Sequence, residues 1–140
     1  MGFEEGSIPY NRGVPTVPRS RPAVLLVEDD ASTRNLYRDA LKSASLSVIA
    51  AADGLEALRR LESGRPSVIV LDLGLPVLDG RDIARELAAR SDTAQIPIVV
   101  VTGREHVNLR QGDAAAVLRK PVDPHDLVSA VMLCLRTQSS

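Results

Sequence analysis

Apolar residues gather in five short, largely continuous runs: 23–27 (AVLLV), 46–50 (LSVIA), 67–71 (SVIVL), 97–101 (PIVVV) and 115–118 (AAVL). They are rich in Val and Ile and do not alternate with polar positions, the pattern of parallel strands buried on both faces. Between the runs the spacing becomes helical. Leu36, Ala40, Leu41 and Ala44 fall on one side of a helix predicted over 31–44, with Arg34, Arg38 and Lys42 on another. Leu55, Leu58 and Leu61 mark a second helix with Asp53 as its N-cap, and Ile83, Ala84, Leu87 and Ala88 mark a third. The last helix is the clearest: Asp123 caps it, Pro124 takes its first position, and Leu127, Val128, Val131, Cys134 and Leu135 form its apolar face. A further short helix has to fit within 104–113.

Strand and helix alternating in this way predict an α/β domain, a doubly wound five-stranded parallel sheet with right-handed crossovers and helices on both faces. Residues 1–22 are set apart from this body, 23–140. They hold four prolines (Pro9, Pro15, Pro18, Pro22) and no apolar period, which reads as a flexible Pro/Gly-rich tail. A short partner-binding segment anchored on Phe3, Ile8 and Tyr10 is the alternative for that stretch.

With 17 Lys+Arg against 18 Asp+Glu, the net charge of −1 gives no general pull toward nucleic acid or acidic membranes. No apolar run approaches a bilayer span and no signal peptide is evident, so the expected location is cytoplasmic, with no membrane or direct nucleic-acid partner. A single cysteine, Cys134, excludes an internal disulfide and fits a reducing compartment. Tyr37 is the one aromatic residue of the body, so the core must be aliphatic and base stacking has no platform.

Chemistry concentrates where the apolar runs end. The first run is followed by Glu28, Asp29 and Asp30, the third by Asp72, the fourth by Thr102, and the fifth leads to Lys120. In a parallel sheet these carboxyl ends share one edge, where ligands of open α/β sheets bind. Crowded carboxylates suit Mg²⁺, a carboxylate can accept a phosphoryl group, and a lysine with a hydroxyl can hold the phosphoryl oxygens. Each residue also has a plainer reading: Asp29 and Asp30 as helix caps, Asp72 as a loop start, Thr102 as a β-branched strand residue, Lys120 as a surface charge. Their joint position at four strand ends makes coincidence the weaker account, because uncompensated carboxylate clusters are costly.

The pieces LLVEDD (25–30), DGLEAL (53–58), VIVLDLGLPVLDG (68–80), PIVVVTG (97–103) and LRKPVDPHDL (118–127) resemble the receiver domain of bacterial two-component response regulators, of the single-domain, chemotaxis type. The resemblance covers nearly all of 23–136. It implies a flavodoxin-like sheet in the order 2-1-3-4-5. It also implies Asp72 as phosphoacceptor, and Mg²⁺ held by Asp29, by Glu28 through water, by Asp72 and by the backbone carbonyl of Gly74. Thr102 would bond a phosphoryl oxygen, and Lys120 would pair with Asp72 and then with its phosphate. The Lys120–Pro121 bond matches one that is cis in the family. The implied donor is a histidine kinase or a histidine phosphotransferase, and phosphorylation would switch the binding of a downstream protein.

Two features depart from that pattern. Receivers typically carry an aromatic residue three positions before the lysine that swings inward on activation; Val117 stands there. Thr102 and Lys120 are 18 positions apart, about one helical turn less than usual, which implies a shortened fourth helix. Gly74 gives no shield to the phosphoryl group, a role open to Arg104. His106 and His125 lack metal-ligand partners at useful spacing and read as surface residues. The expected function is therefore a phospho-acceptor signalling domain without an output domain of its own, and not a metabolic enzyme. It would be a stand-alone regulator, a relay intermediate or a receiver from a larger protein. The alternatives are a non-switching interaction module on the same fold, or an enzyme on it. The latter is disfavoured because no G-x-G-x-x-G or G-x-x-x-x-G-K-[ST] loop is present.

Overall fold

A computed structural model describes residues 21–75, 79–103 and 114–138. The described elements run β1 (Ala23–Val27), α1 (Ala31–Ser43), β2 (Ser47–Ala51), α2 (Gly54–Ser63), β3 (Val68–Asp72), α3 (Gly80–Ala89), β4 (Ile98–Thr102), β5 (Ala116–Arg119) and α4 (Pro124–Gln138). All strand pairs are parallel, and the sheet order is β2-β1-β3-β4-β5. The doubly wound fold with order 2-1-3-4-5 is thus the one the sequence implies. Strands β2 to β5 begin one residue later than the apolar runs, so Asp72 and Thr102 are the final residues of their strands.

The three central strands bury nearly every side chain, because helices cover both faces. On one face Leu25, Val27, Ile69, Leu71, Ile98 and Val100 pack against Ala57 and Leu61 of α2 and Ile83, Ala84 and Leu87 of α3. On the other, Val24, Leu26, Val68, Val70, Val99 and Val101 pack against Tyr37 and Leu41 of α1 and Leu127, Val131 and Cys134 of α4.

Helix starts follow side-chain capping. Asp30 accepts from the Thr33 amide at 2.8 Å, Asp53 from the Glu56 amide at 2.8 Å, and Asp79 from the Arg81 amide at 2.9 Å. Asp123 accepts from the His125 amide at 2.8 Å, which leaves Pro124 at the first helical position. Helix α1 closes with the paired bonds Leu46 N–H to Leu41 O (3.2 Å) and Ser45 N–H to Lys42 O (2.9 Å). Ser45 stands at φ 68°, in the left-handed region that this closure needs.

Three apolar stripes differ from expectation. Leu36 is 53% exposed, while Tyr37 takes the buried position with Leu41. The spacing of Leu36, Ala40 and Ala44 fits one helical face as well as Tyr37, Leu41 and Ala44 does, and the larger ring decides which face turns inward. In α2 the buried seam is Ala57 and Leu61, with Leu55 exposed, because Leu55, Leu58 and Leu61 drift around the helix at spacings of three. Ala88 faces outward on α3. The helix expected within 104–113, together with Arg104 and His106, lies outside the described residues, as do residues 1–20 of the expected tail. Among the described residues no helix is long and apolar enough to cross a membrane.

Candidate functional site

The carboxyl ends of β1, β3, β4 and β5 meet at one edge of the sheet, and the charged residues there converge. Glu28 directly follows β1, Asp72 ends β3 and Lys120 directly follows β5. Lys120 Nζ donates to Glu28 Oε1 at 3.0 Å and to Asp72 Oδ2 at 3.1 Å. Both carboxylates are buried, with side chains 2% and 7% exposed, against 30% for Lys120. Asp29 is exposed at the rim. One oxygen from each of Glu28, Asp29 and Asp72 lies within 4.8 Å of the others, a grouping able to hold a metal ion.

The remaining lone pairs are used locally. Asp72 Oδ1 accepts from the Gly74 amide at 2.9 Å, and Glu28 Oε2 accepts from the Asp30 amide at 3.1 Å. Asp30 itself is occupied with capping: Thr33 Oγ1 donates to it at 2.6 Å in addition to the Thr33 amide. Thr102 is buried at the end of β4, one position beyond Val101, which pairs with Asp72, and its carbonyl accepts from the Lys120 amide at 2.8 Å. The Lys120–Pro121 peptide bond is cis. Val117, at the position expected to lack an aromatic, is 44% exposed. His125 is exposed, and Cys134 is buried in the core.

Burial pushes the Glu28 carboxyl above its ordinary value; the Asp30 amide and Lys120 oppose the rise, and the Asp72 charge adds to it. For Lys120, burial alone works downward. Its hydrogen bonds to Glu28 and Asp72 together outweigh that, so the ammonium is held above its ordinary value and stays charged at neutral pH. One ammonium therefore serves two buried carboxylates, with a third at the rim. Among the described residues the carboxylates of the notch outnumber the ammonium that bonds them, a condition that a divalent cation relieves.

Two residues at the site escape a sequence reading. Periodicity puts Arg34 on the polar side of α1, yet its guanidinium turns back to the β1–α1 turn. Its Nη1 donates to the carbonyl of Glu28 at 2.9 Å and of Asp29 at 3.2 Å. Gly80 opens α3 directly against the Asp72 backbone: a Cβ there would lie 2.5 Å from the Asp72 carbonyl oxygen and 2.7 Å from Leu73 Cα. Both contacts reach backbone atoms, which residue types do not announce. The Asp-Gly pair at 79–80, immediately before a helical stripe, is the only signal for the second.

Comparisons with known proteins agree with this geometry. A family profile described as the response regulator receiver domain matches residues 24–132. The response regulator MprA of Mycobacterium sp. (strain KMS) is 37% identical over 120 residues, which are 83% of this chain and 51% of that protein. MprA of Mycobacterium tuberculosis (strain ATCC 25177 / H37Ra) is 38% identical over 117 residues, 81% of this chain and 50% of its own length. The chain thus spans about half the length of the curated relatives it matches. Among solved structures, the chemotaxis response regulator CheY4 of Vibrio cholerae is similar, with a TM-score of 0.74 and 29% identity. The match covers 81% of this chain and 98% of that one. The signal receiver domain of a signal transduction histidine kinase from Syntrophus aciditrophicus is similar at a TM-score of 0.73 and 25% identity, covering 83% and 91%. Fold, acidic notch and sequence likeness agree, and the chain belongs to the response regulator receiver domain family.

Proposed function

We propose that Asp72 accepts a phosphoryl group from a histidine kinase or histidine phosphotransferase, and that the resulting charge switches binding to a downstream protein in the cytoplasm. The observation that carries this reading is the Lys120 ammonium bridging Glu28 and Asp72 beside Asp29, which joins three strand ends in one notch.

The oxygen-only donor set and its deficit of positive charge fit Mg²⁺, with Asp29, Glu28, Asp72 and the Gly74 carbonyl as the protein side of its shell. When bound, Mg²⁺ would neutralise charge on the incoming phosphoryl oxygens. The chain's own residues do the rest. An Asp72 carboxylate oxygen attacks phosphorus, the bond from phosphorus to the donor nitrogen breaks, and its electron pair leaves with the imidazole. Asp72 is held for this by the Gly74 amide and Lys120. The acyl phosphate carries about −1.5 to −2 where the carboxylate carried −1, so the site gains about one negative charge and new acceptor oxygens, and Lys120 is a nearby cation able to turn toward them. Thr102 supplies a hydroxyl on the neighbouring strand. Asp72, Thr102 and Lys120 thus carry the transfer, with no metabolic substrate.

Incubation with acetyl phosphate and Mg²⁺ tests the reading. Wild type takes up one acid-stable, base-labile phosphoryl group, Asp72→Ala takes up none, and EDTA blocks the reaction. A wild type that stays unlabelled overturns the proposal in favour of a non-switching interaction module.

A further inference from the structure

The β1–α1 turn carries two of the three carboxylates, and its backbone has few anchors of its own. Glu28 is tied to β2 by its amide, which donates to Ala51 O at 3.0 Å. Asp29 is exposed, and the turn then enters α1 through the Asp30 cap. Arg34, one turn into that helix and half-buried, bonds both the Glu28 and the Asp29 carbonyls. Its neighbour Arg38 spends its guanidinium on Asn35 Oδ1 at 2.8 Å instead.

We propose that Arg34 is a positioning residue of the acidic notch: by holding the carbonyls of Glu28 and Asp29 it fixes the carboxylates of both for a divalent cation. This inference rests on the proposed Mg²⁺-dependent reading of the same site. Two effects of opposite sign meet at Arg34. Its positive charge repels a cation and so weakens binding. Its hydrogen bonds hold two ligand-bearing residues in place and so strengthen it. The charge is directed at backbone oxygens at the solvent edge, where water screens long-range repulsion. The hydrogen bonds act on the ligands directly, so positioning outweighs charge.

Mg²⁺ titration by calorimetry on the full chain separates these effects, together with acetyl-phosphate labelling as a function of Mg²⁺. The variants are Arg34→Ala, Arg34→Lys and, as control, Arg38→Ala. Removing Arg34 weakens Mg²⁺ binding about 3- to 10-fold, the range for the net loss of a hydrogen bond or two. Lys keeps the charge and reaches one carbonyl, so Arg34→Lys falls between Arg34→Ala and wild type, and Arg38→Ala matches wild type. The Mg²⁺ concentration for half-maximal labelling shifts in the same order, while the labelling rate at saturating Mg²⁺ stays within about twofold, a split that a general loss of structure does not give. Should Arg34→Ala melt below the assay temperature, Arg34→Lys carries the test alone. Mg²⁺ affinity that is unchanged or tighter without Arg34 overturns the inference and leaves the Asp72 reading intact. A wild type that binds no Mg²⁺ overturns both.

Discussion

Gly80 stands where the structure leaves no room for a side chain, and Gly80→Ala is the sharpest probe of how the site is framed. The new Cβ would sit 2.5 Å from the Asp72 carbonyl oxygen and 2.7 Å from Leu73 Cα. Reaching ordinary contact at about 3.4 Å needs an opening of about 0.9 Å between α3 and the end of β3. Neither side yields freely. The Gly80 amide donates to Leu73 O at 3.2 Å, and the Leu73 amide donates to Val101 O at 3.3 Å. Overpacking of this kind costs about 1–3 kcal/mol. Against it, Ala recovers at most about 1 kcal/mol of helix propensity, less at a first-turn position. The expected outcome is a net loss of about 1–2 kcal/mol, seen as a lower urea midpoint at unchanged slope. Acetyl-phosphate labelling should fall as well, because the displaced atoms belong to Asp72, the proposed phosphoacceptor; misplacement by about 1 Å can cost up to about 100-fold. Gly64→Ala is the matched control: its Cβ meets nothing within 4 Å, and its backbone is extended at φ 172°. A Gly80→Ala variant as stable as Gly64→Ala, with wild-type labelling, would refute the steric reasoning.

Three further outcomes follow from local geometry. Ser45→Gly should stabilise the fold by about 1 kcal/mol in urea titration, because Ser45 holds a left-handed φ of 68° that glycine adopts without a Cβ penalty. Asp53→Ala should destabilise it by about 1 kcal/mol: Asp53 caps the Glu56 amide at 2.8 Å, while Glu56 Oε1 reaches back to the Ala52 amide at 2.8 Å. At alkaline pH, burial shifts the ionisation of both Cys134 and Tyr37 to higher pH, so the folded state keeps both neutral after the unfolded chain has begun to ionise. Stability is therefore full below about pH 8.5 and falls as pH rises through about 8.5 and then about 10, with Tyr37→Phe removing the second decline; a urea midpoint flat from about pH 8 to about pH 10.5 would contradict this.

The sheet was legible in the sequence because burial on both faces leaves a signature that needs no partner information: Val24 to Val27, Val68 to Leu71 and Ile98 to Val101 are apolar without interruption. The grouping of Glu28, Asp72 and Lys120 was legible for a topological reason, since parallel strands deliver their carboxyl ends to one edge whatever their order. Helix faces were less so. Leu36 and Tyr37 are adjacent, a single position turns the buried stripe by about 100°, and only tertiary packing chooses between them. Contacts to backbone atoms were not legible at all. Arg34 recognises two carbonyls, and Gly80 makes way for one. Their geometry depends on how the turns after β1 and β3 close, and the residue alphabet records side chains rather than carbonyl directions.

The alternation of side chains along the strands joins the core to the chemistry. On β1 the row Val24, Leu26 continues into Glu28; on β3 Val68, Val70 lead to Asp72; on β5 Ala116, Leu118 lead to Lys120. All three charged residues thus extend the face that packs on α1 and α4, with Tyr37 and Leu127 in the same cluster. Thr102 extends the other row, after Ile98 and Val100, on the face of α2 and α3. A phosphoryl group on Asp72 held by Lys120 and Thr102, as proposed, would be gripped from both faces at once. Tightening either grip then draws on the packing of one helical layer against its face of the sheet. Val117 follows the row of Val100, and so belongs to the Thr102 side. Val117 therefore puts no aromatic ring on the Thr102 side, while the buried ring of Tyr37 lies in the layer on the Lys120 side.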